Sequence, residues 1–356
     1  MASKLPNTMK AWQFASPSPT LEKNLKLNTS APLPASSTSL PADQTLVQVF
    51  AVSLNPVDYK FPEIPVLGRL ITGSPATPSI DYAGRVVATG PNSKKVSSTD
   101  LKVGQLVFGR HNAPTKFGTL AEYTIAPRAG CVPIPSGVSV IDAACASSAA
   151  LTAYQCIIPK LKGSAGARVF INGGSGGTGT FGIQIAKAAG CHVTTSCSGA
   201  NVELCQSLGA DTVIDYKSKD LVAELKKMPH FDLVVDNVGL PANLYWSAPS
   251  FTKPGAPYVQ VGAPAISLGF VYDVLCKTMW PRSLGGGQRP WEFLQLQSKV
   301  EDYAQIGRWM QEGKVRAVVD EVFGMEDKGP VRVFEKLRTG RARGKIVVKV
   351  AERWEE

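Results

Sequence analysis

From Gln44 to Ser53 the chain reads Gln-Thr-Leu-Val-Gln-Val-Phe-Ala-Val-Ser, with apolar and polar positions alternating at a period near two, which predicts a half-buried strand. Short runs of the same kind follow at 79–90, 103–109 and 118–125, each punctuated by glycine, and together they predict a small β-barrel-like domain. Asn92 to Thr99 is polar and reads as a surface loop. Near Val140 the pattern changes. Asp142 to Ile158 is rich in alanine with few breakers, a helical composition. From Arg168 the periods alternate: strand 168–172, helix 178–189, strand 191–196, helix 201–208, strand 212–214, helix 219–227, then strands 231–236 and 257–261. Such alternation predicts a parallel, doubly wound sheet. Lys299 to Glu312 is amphipathic with a helical period, and Val315 to Phe323 and Lys345 to Val350 read as strands again.

The first strand of that series empties into Gly173-Gly-Ser-Gly-Gly-Thr-Gly179 and then into a helical apolar pattern. Gly174, Gly176 and Gly179 spell G-x-G-x-x-G: one glycine for the tight turn, one for close approach of a pyrophosphate, one for helix against strand. Ser175, Gly177 and Thr178 complete the turn, and a bound anion sits on the helix N-terminus. The same run fits a G-x-S-x-G nucleophile elbow at Ser175, for which Asp215 with His230 is nearly the sole partner pair in that order. A phosphate-binding P-loop fails, because Thr180 and Phe181 stand where lysine and serine or threonine are required. The next strand, Cys191 to Asn201, holds no carboxylate, so a ribose 2′-phosphate meets no negative charge from it. Ser196, Ser198 and Asn201 offer hydrogen bonds to such a phosphate and Lys217 a cation, which favours NADPH over NADH.

The bulk numbers narrow the reading further. The 356 residues suggest two domains, and 44% hydrophobic with 19% charged residues is the balance of a soluble globular protein. The net charge of +10 is spread thinly, with its densest cluster at 336–345, and no nucleic-acid motif accompanies it. Seven cysteines without a C-x-x-C pair argue for free thiols in a reducing compartment, and with no signal-like N-terminus and no long uninterrupted apolar segment the expectation is a cytoplasmic protein without a membrane span. The three histidines share no close spacing and the cysteines lack zinc-ligand spacing, so no metal is expected.

Nine segments then occur in a telling order: Asn55-Pro-Val-Asp58, Asp81-Tyr-Ala-Gly84, 103–109, 118–123, Leu151-Thr-Ala-Tyr154, Gly174 to Gly179, 208–216, Asp236-Asn-Val-Gly239 and Gly340-Arg-Ala-Arg-Gly-Lys345. The series resembles the medium-chain dehydrogenase/reductase superfamily, in its zinc-free quinone oxidoreductase branch with enone, alkenal and fungal trans-acting enoyl reductases. The zinc members carry a cysteine ligand where Asn55 stands and a Gly-His-Glu motif in the region of Asp81-Tyr82, and both are missing here.

The resemblance implies an α/β fold, a Rossmann doubly wound parallel sheet plus a GroES-like β-barrel catalytic domain. Residues 1–148 completed by 314–356 form the catalytic part, 149–313 the NADPH-binding part, and the acceptor is expected in a cleft between them. It implies NADPH-dependent hydride transfer to an α,β-unsaturated carbonyl (enone, alkenal or enoyl thioester) or a quinone. Alternatives are a trans-acting enoyl reductase serving a polyketide synthase on carrier-bound substrates, a non-catalytic NADPH-binding protein, and redox-neutral chemistry on the same scaffold. Thr152 is implied at the nicotinamide, with Val238 and Gly262 also on the cofactor, Tyr216 at the adenine-ribose side, and Arg341 and Lys345 at the cofactor phosphates or merely flanking the last strand. Asn55 and Lys60 are implied beside the acceptor, with Lys60, Tyr59 or water as proton source. The segment from Leu268 to Pro290, with Trp280 and Arg282, is a further candidate for shaping the acceptor site. The protein is expected to be a monomer or homodimer.

Overall fold

The computed structural model describes residues 5–34, 40–92, 100–161, 166–263 and 268–351, so the polar run expected as a loop falls, from residue 93, outside the described residues. The chain folds into two compact units. One comprises 1–151, 297–313 and 317–356, the other 152–296 with 314–316, and the division falls inside the helix Val140–Leu161.

The first unit is built on a seven-stranded sheet. Its longest strand, Gln44–Leu54, pairs antiparallel with Asp81–Thr89 on one side. On the other it pairs with Tyr123–Pro127 along its first half and with Lys345–Lys349 along its second. This crowding explains a difference from the alternating pattern: nearly every side chain of the strand is buried, not every second one. Leu106–Arg110 and Cys131–Pro133 extend the sheet, and Val319–Gly324 lies parallel to Lys345–Lys349 at its edge. Pairing of Ile346 with Leu54 brings Lys345, far away in sequence, to the loop that begins at Asn55. Trp12, Tyr59, Tyr82, Phe334 and Ile346 are among the buried side chains of this core.

The helix Val300–Gln311 belongs to this first unit, whereas the sequence assigned residues up to 313 to the cofactor domain. Packing decides it: the Tyr303 ring meets Phe108 edge-on at 5.6 Å, its hydroxyl donates to the Ser147 carbonyl at 2.9 Å, and Gly307 lies so close to Pro135 that a Cβ would come within 2.9 Å of its ring. Residues 314–316 go with the second unit, where Gln184 donates to the Arg316 carbonyl and accepts its N–H.

The second unit is a six-stranded, wholly parallel sheet. Its spatial order is Thr212–Asp215, His192–Cys197, Arg168–Asn172, Leu233–Asp236, Tyr258–Gln260, Trp291–Phe293. Numbered along the chain this is 3-2-1-4-5-6, the dinucleotide-binding order, which reverses direction between the strands ending at Asn172 and Asp236. Phe170, Phe231, Phe251 and Tyr258 fill its core beneath the helix Leu221–Lys226. The strand Trp291–Phe293 has too few residues to show a period and was not anticipated. Val140–Leu161, 22 residues with a mean hydropathy of 1.2, is long and apolar enough to cross a membrane, yet 78% of its most apolar stretch is buried against protein, as in a core helix.

Candidate active site

The glycine turn is assembled from backbone contacts. Gly173 has φ +81°, a conformation that favours glycine. A Cβ on Gly174 would stand 2.1 Å from Thr195 Oγ1, and one on Gly179 would stand 2.1 Å from the Gly173 carbonyl oxygen. Gly176, the N-cap of the helix Gly177–Ala188, differs: a Cβ there would find its nearest neighbour 3.7 Å away. Two glycines are therefore required by the fold, and the third borders open space before a helix N-terminus. That cradle fits a dinucleotide pyrophosphate, the group the unfilled backbone N–H donors of a helix start would hold.

Behind the turn runs a row of polar side chains. Three largely apolar strands end in a polar residue, Asn172, Asp236 and Gln260, and parallel register sets these side by side with Ser196, the last residue but one of the strand His192–Cys197. Ser196 Oγ donates to Asn172 Oδ1 at 2.6 Å and accepts the Gly173 N–H at 3.1 Å. Asn172 Nδ2 donates to Asp236 Oδ1, which also accepts the Val238 and Gly239 N–H groups, and Tyr258 donates to Asp236 Oδ2 at 2.6 Å. The row fixes the turn and the Val238 loop to each other. Gly262 packs against that loop, where a Cβ would stand 2.1 Å from the Asn237 carbonyl oxygen.

This corrects the sequence reading of Ser196: it is fully buried, its hydroxyl is committed to Asn172 and Gly173, and it does not reach a 2′-phosphate. Ser198, Asn201 and Ser175 do come together, with Asn201 Nδ2 donating at 3.2 Å to both serine hydroxyls. The proposed triad thus has an amide, not a histidine, against Ser175. Tyr216 is half-exposed and Lys217 exposed at the end of the adjoining strand. A second correction concerns charge. The strand His192–Cys197 carries no acid, but its neighbour pairs Asp215 with Cys197, and a Cβ on Gly199 would lie 2.9 Å from Asp215 Oδ2. The Lys217 backbone N–H, bonded to this carboxylate at 3.0 Å, holds it below the usual carboxylate range. Thr152 is buried on the long helix.

In the first unit, the polar cluster gathers on Asn55. Its Oδ1 accepts from the Lys345 ammonium at 2.5 Å, its Nδ2 donates to Asp81 Oδ2 at 2.8 Å, and its backbone N–H donates to Asp58 Oδ2 at 2.6 Å. Asp81 also takes the Ser148 hydroxyl, and Arg110 Nε donates to that hydroxyl at 3.1 Å. Both carboxylates are buried. Burial, with the Asp81 charge adding to it, pushes the Asp58 carboxyl up to about 8, and burial raises Asp81 as well. Lys345, read either at the cofactor phosphates or flanking the last strand, opens that strand and is buried in this cluster, its ammonium also on the Leu54 carbonyl at 2.9 Å. Arg341 is exposed.

Tyr59 and Lys60 leave the short helix Val57–Lys60 on different faces. Tyr59 turns into the hydrophobic core, its ring 4.3 Å from the Arg338 guanidinium, which pairs with Glu22 and Glu63. Its ring is part of the packed core. Lys60 is exposed, and partial desolvation of its ammonium lowers its pKa. Asn172, Asp236, Asp81 and Ser148 escaped the list of candidates drawn from sequence; for Asn172 and Asp236 the one signal was a polar residue closing an apolar run, while Asp81 opens a strand and Ser148 lies within a helix. Among the described residues no group of three or more histidine, cysteine or acidic side chains comes together to hold a metal ion.

Residues 41–136 match a family model described as the alcohol dehydrogenase GroES-like domain, and 208–348 one described as zinc-binding dehydrogenase. The chain is 68% identical to the trans-enoyl reductase pgmF of Aspergillus terreus over 100% of both chains. It is 30% identical to the trans-enoyl reductase poxH of Penicillium oxalicum over 97% of this chain and 98% of that one. The quinone oxidoreductase of Coxiella burnetii superposes with a TM-score of 0.78 at 29% identity, over 96% of this chain and 99% of the other. With the 3-2-1-4-5-6 sheet, the glycine cradle and asparagine where zinc members carry a cysteine ligand, these likenesses establish that the chain belongs to the medium-chain dehydrogenase/reductase superfamily, as an oxidoreductase of its zinc-free enoyl and quinone reductase branch, which works with a nicotinamide cofactor.

Proposed function

We propose that this protein is an NADPH-dependent trans-acting enoyl reductase that saturates the α,β double bond of an enoyl thioester carried by a partner polyketide synthase. The observation that carries this reading is the end-to-end 68% identity to a trans-enoyl reductase. Bound in the glycine cradle, the cofactor supplies a hydride to the β-carbon, and the π electrons move towards the thioester carbonyl. Lys60 then gives a proton to the α-carbon and regains one from water; its lowered pKa makes the ammonium the readier donor. Asn55 lies beside the acceptor with its amide oriented by Lys345 and Asp81. Ser198, Asn201 and Lys217 are the groups that favour the 2′-phosphorylated cofactor, against the nearby Asp215 carboxylate, which the Lys217 backbone N–H holds.

The test is cofactor oxidation with crotonyl-N-acetylcysteamine, NADPH and NADH being compared. Turnover with NADPH, at least about tenfold better in kcat/KM than with NADH, is the expected outcome, since tenfold is 1.4 kcal/mol, less than one good charged hydrogen bond. Lys60→Met should lower kcat by about 100-fold, within the range of general acid catalysis, while Tyr59→Phe should stay within about twofold. Quinone reduction without enoyl turnover, or equal effects of the two variants, would overturn the assignment.

A further inference from the structure

The second unit contains a cavity of about 490 Å³ at the carboxyl ends of the strands Leu233–Asp236 and Tyr258–Gln260, the end of a parallel sheet at which ligands bind. Its walls are apolar and aromatic, with Leu240, Tyr245, Trp246 and Phe270 on them. The lining residues Gly239 and Gln260 stand next to Val238 and two before Gly262 in the chain, so the cavity adjoins the segments assigned to the cofactor.

Most polar groups in its wall are already committed. Asp236 accepts from Asn172, Val238, Gly239 and Tyr258, and Gln260 donates to the Gly262 carbonyl and accepts from Trp291. Lys277 differs from these in being a buried cation with donors to spare. Its side chain is 5% exposed, and among the described residues Asp273, at 2.5 Å, is the acceptor its ammonium reaches. Its other neighbours are the ring faces of Tyr245 at 4.9 Å and Trp291 at 5.6 Å. An ammonium has three protons to give, and burying it with one acceptor costs free energy that a well-packed apolar side chain would avoid. A ligand oxygen entering the cavity would take an N–H left with only a π face.

We propose that this cavity holds the distal part of the acyl chain and that Lys277 selects chains bearing a carbonyl or hydroxyl oxygen over plain alkyl chains. The proposal rests on the enoyl reductase reading and deepens it. Apolar walls alone sort by length; a buried donor sorts by polarity, because an alkyl chain leaves it unpaired.

The experiment compares kcat/KM for the oct-2-enoyl thioester of N-acetylcysteamine with that for its 5-, 6- and 7-oxo analogues, crotonyl thioester serving as the short reference. The wild type should prefer at least one oxo chain by about 10- to 100-fold, the worth of a charged hydrogen bond. Lys277→Met should bring that ratio near one. Leu240→Trp, which puts a bulkier side chain into the cavity wall and leaves Lys277 and Asp273 unchanged, should lower the octenoyl-to-crotonyl ratio and covers the case in which Lys277→Met does not fold. No preference in the wild type, or a ratio unmoved by Lys277→Met, or by Leu240→Trp where Lys277→Met does not fold, overturns the proposal. If crotonyl thioester itself is not reduced, the enoyl reductase reading fails instead, and binding of saturated 7-oxo-octanoyl thioester, followed by tryptophan fluorescence, decides the cavity separately: weaker binding to Lys277→Met, or to Leu240→Trp where Lys277→Met does not fold, supports it, and equal or absent binding overturns it.

Discussion

Asp58 is a carboxyl group with almost no contact with water, held by the Asn55 N–H and facing the Asp81 charge. Its pKa rises from 3.8 to about 8 on folding. A raised carboxyl pKa means that between these limits the folded protein holds a proton that the unfolded chain has released. The contribution to stability is therefore complete below about pH 4 and is lost as pH rises through 8, at up to about 1.4 kcal/mol per pH unit for this one group. Asp58→Asn keeps the acceptor for Asn55 and cannot ionise. Urea unfolding at pH 5, 6, 7 and 8 should show the variant gaining on the wild type at every step upward. A difference that stays flat with pH would mean that Asp58 is already ionised in the fold at neutral pH. None of this was open to reading in the sequence, where Asp58 is one acid in a loop: its neighbours Asp81 and Lys345 come from strands far away in the chain, and only their pairing with Gln44–Leu54 brings the charges together.

At the scale of the element, the strand–turn–helix at 168–188 was legible because its causes are local. An apolar run, a glycine that takes positive φ and a helix starting at an open N-terminus are all encoded within about twenty residues of chain. What the pattern could not distinguish was the work of the individual glycines. Gly179→Ala drives a methyl into the Gly173 carbonyl, so the turn itself must shift and stability should fall by about 2 kcal/mol or more. Gly176→Ala meets nothing closer than 3.7 Å, so unfolding of the free protein should change by less than about 1 kcal/mol. Its methyl instead occupies the space a pyrophosphate needs, and NADPH affinity should drop by about tenfold or more, 1.4 kcal/mol. Calorimetry without cofactor and NADPH titration separate the two effects. Unchanged affinity in Gly176→Ala would remove the cradle as the phosphate site. Ser196 shows the complementary limit: its hydroxyl, on a strand without a carboxylate, reads as a hydrogen-bond donor to the cofactor, yet parallel register turns it towards Asn172, and register is not written in either strand alone.

For the molecule as a whole, the succession of short strands and then alternating strands and helices told the fold class, while the assignment of Val300–Gln311 depended on which core its aromatic face fills. The cysteines offer a readout of both cores at once. All seven are free, and six of them are buried: Cys131 and Cys145 in the first unit, and Cys156, Cys191, Cys197 and Cys205 in the second, while Cys276 is partly exposed on the helix Leu268–Thr278. Burial pushes the Cys131 and Cys145 thiols up to about 12, so at pH 8 about one in ten thousand is a thiolate, the form that reacts. With access denied to all six buried thiols, and ionisation denied as well to Cys131 and Cys145, a disulfide reagent such as dithiobis(nitrobenzoate) should modify one thiol per chain within minutes, and peptide mass mapping should place it at Cys276. All seven should react once the chain is unfolded in guanidinium. Rapid labelling of Cys131 or Cys145 would show the first core opening on that timescale, labelling of Cys156, Cys191, Cys197 or Cys205 would show it for the second, and either result would contradict the packing of the unit concerned.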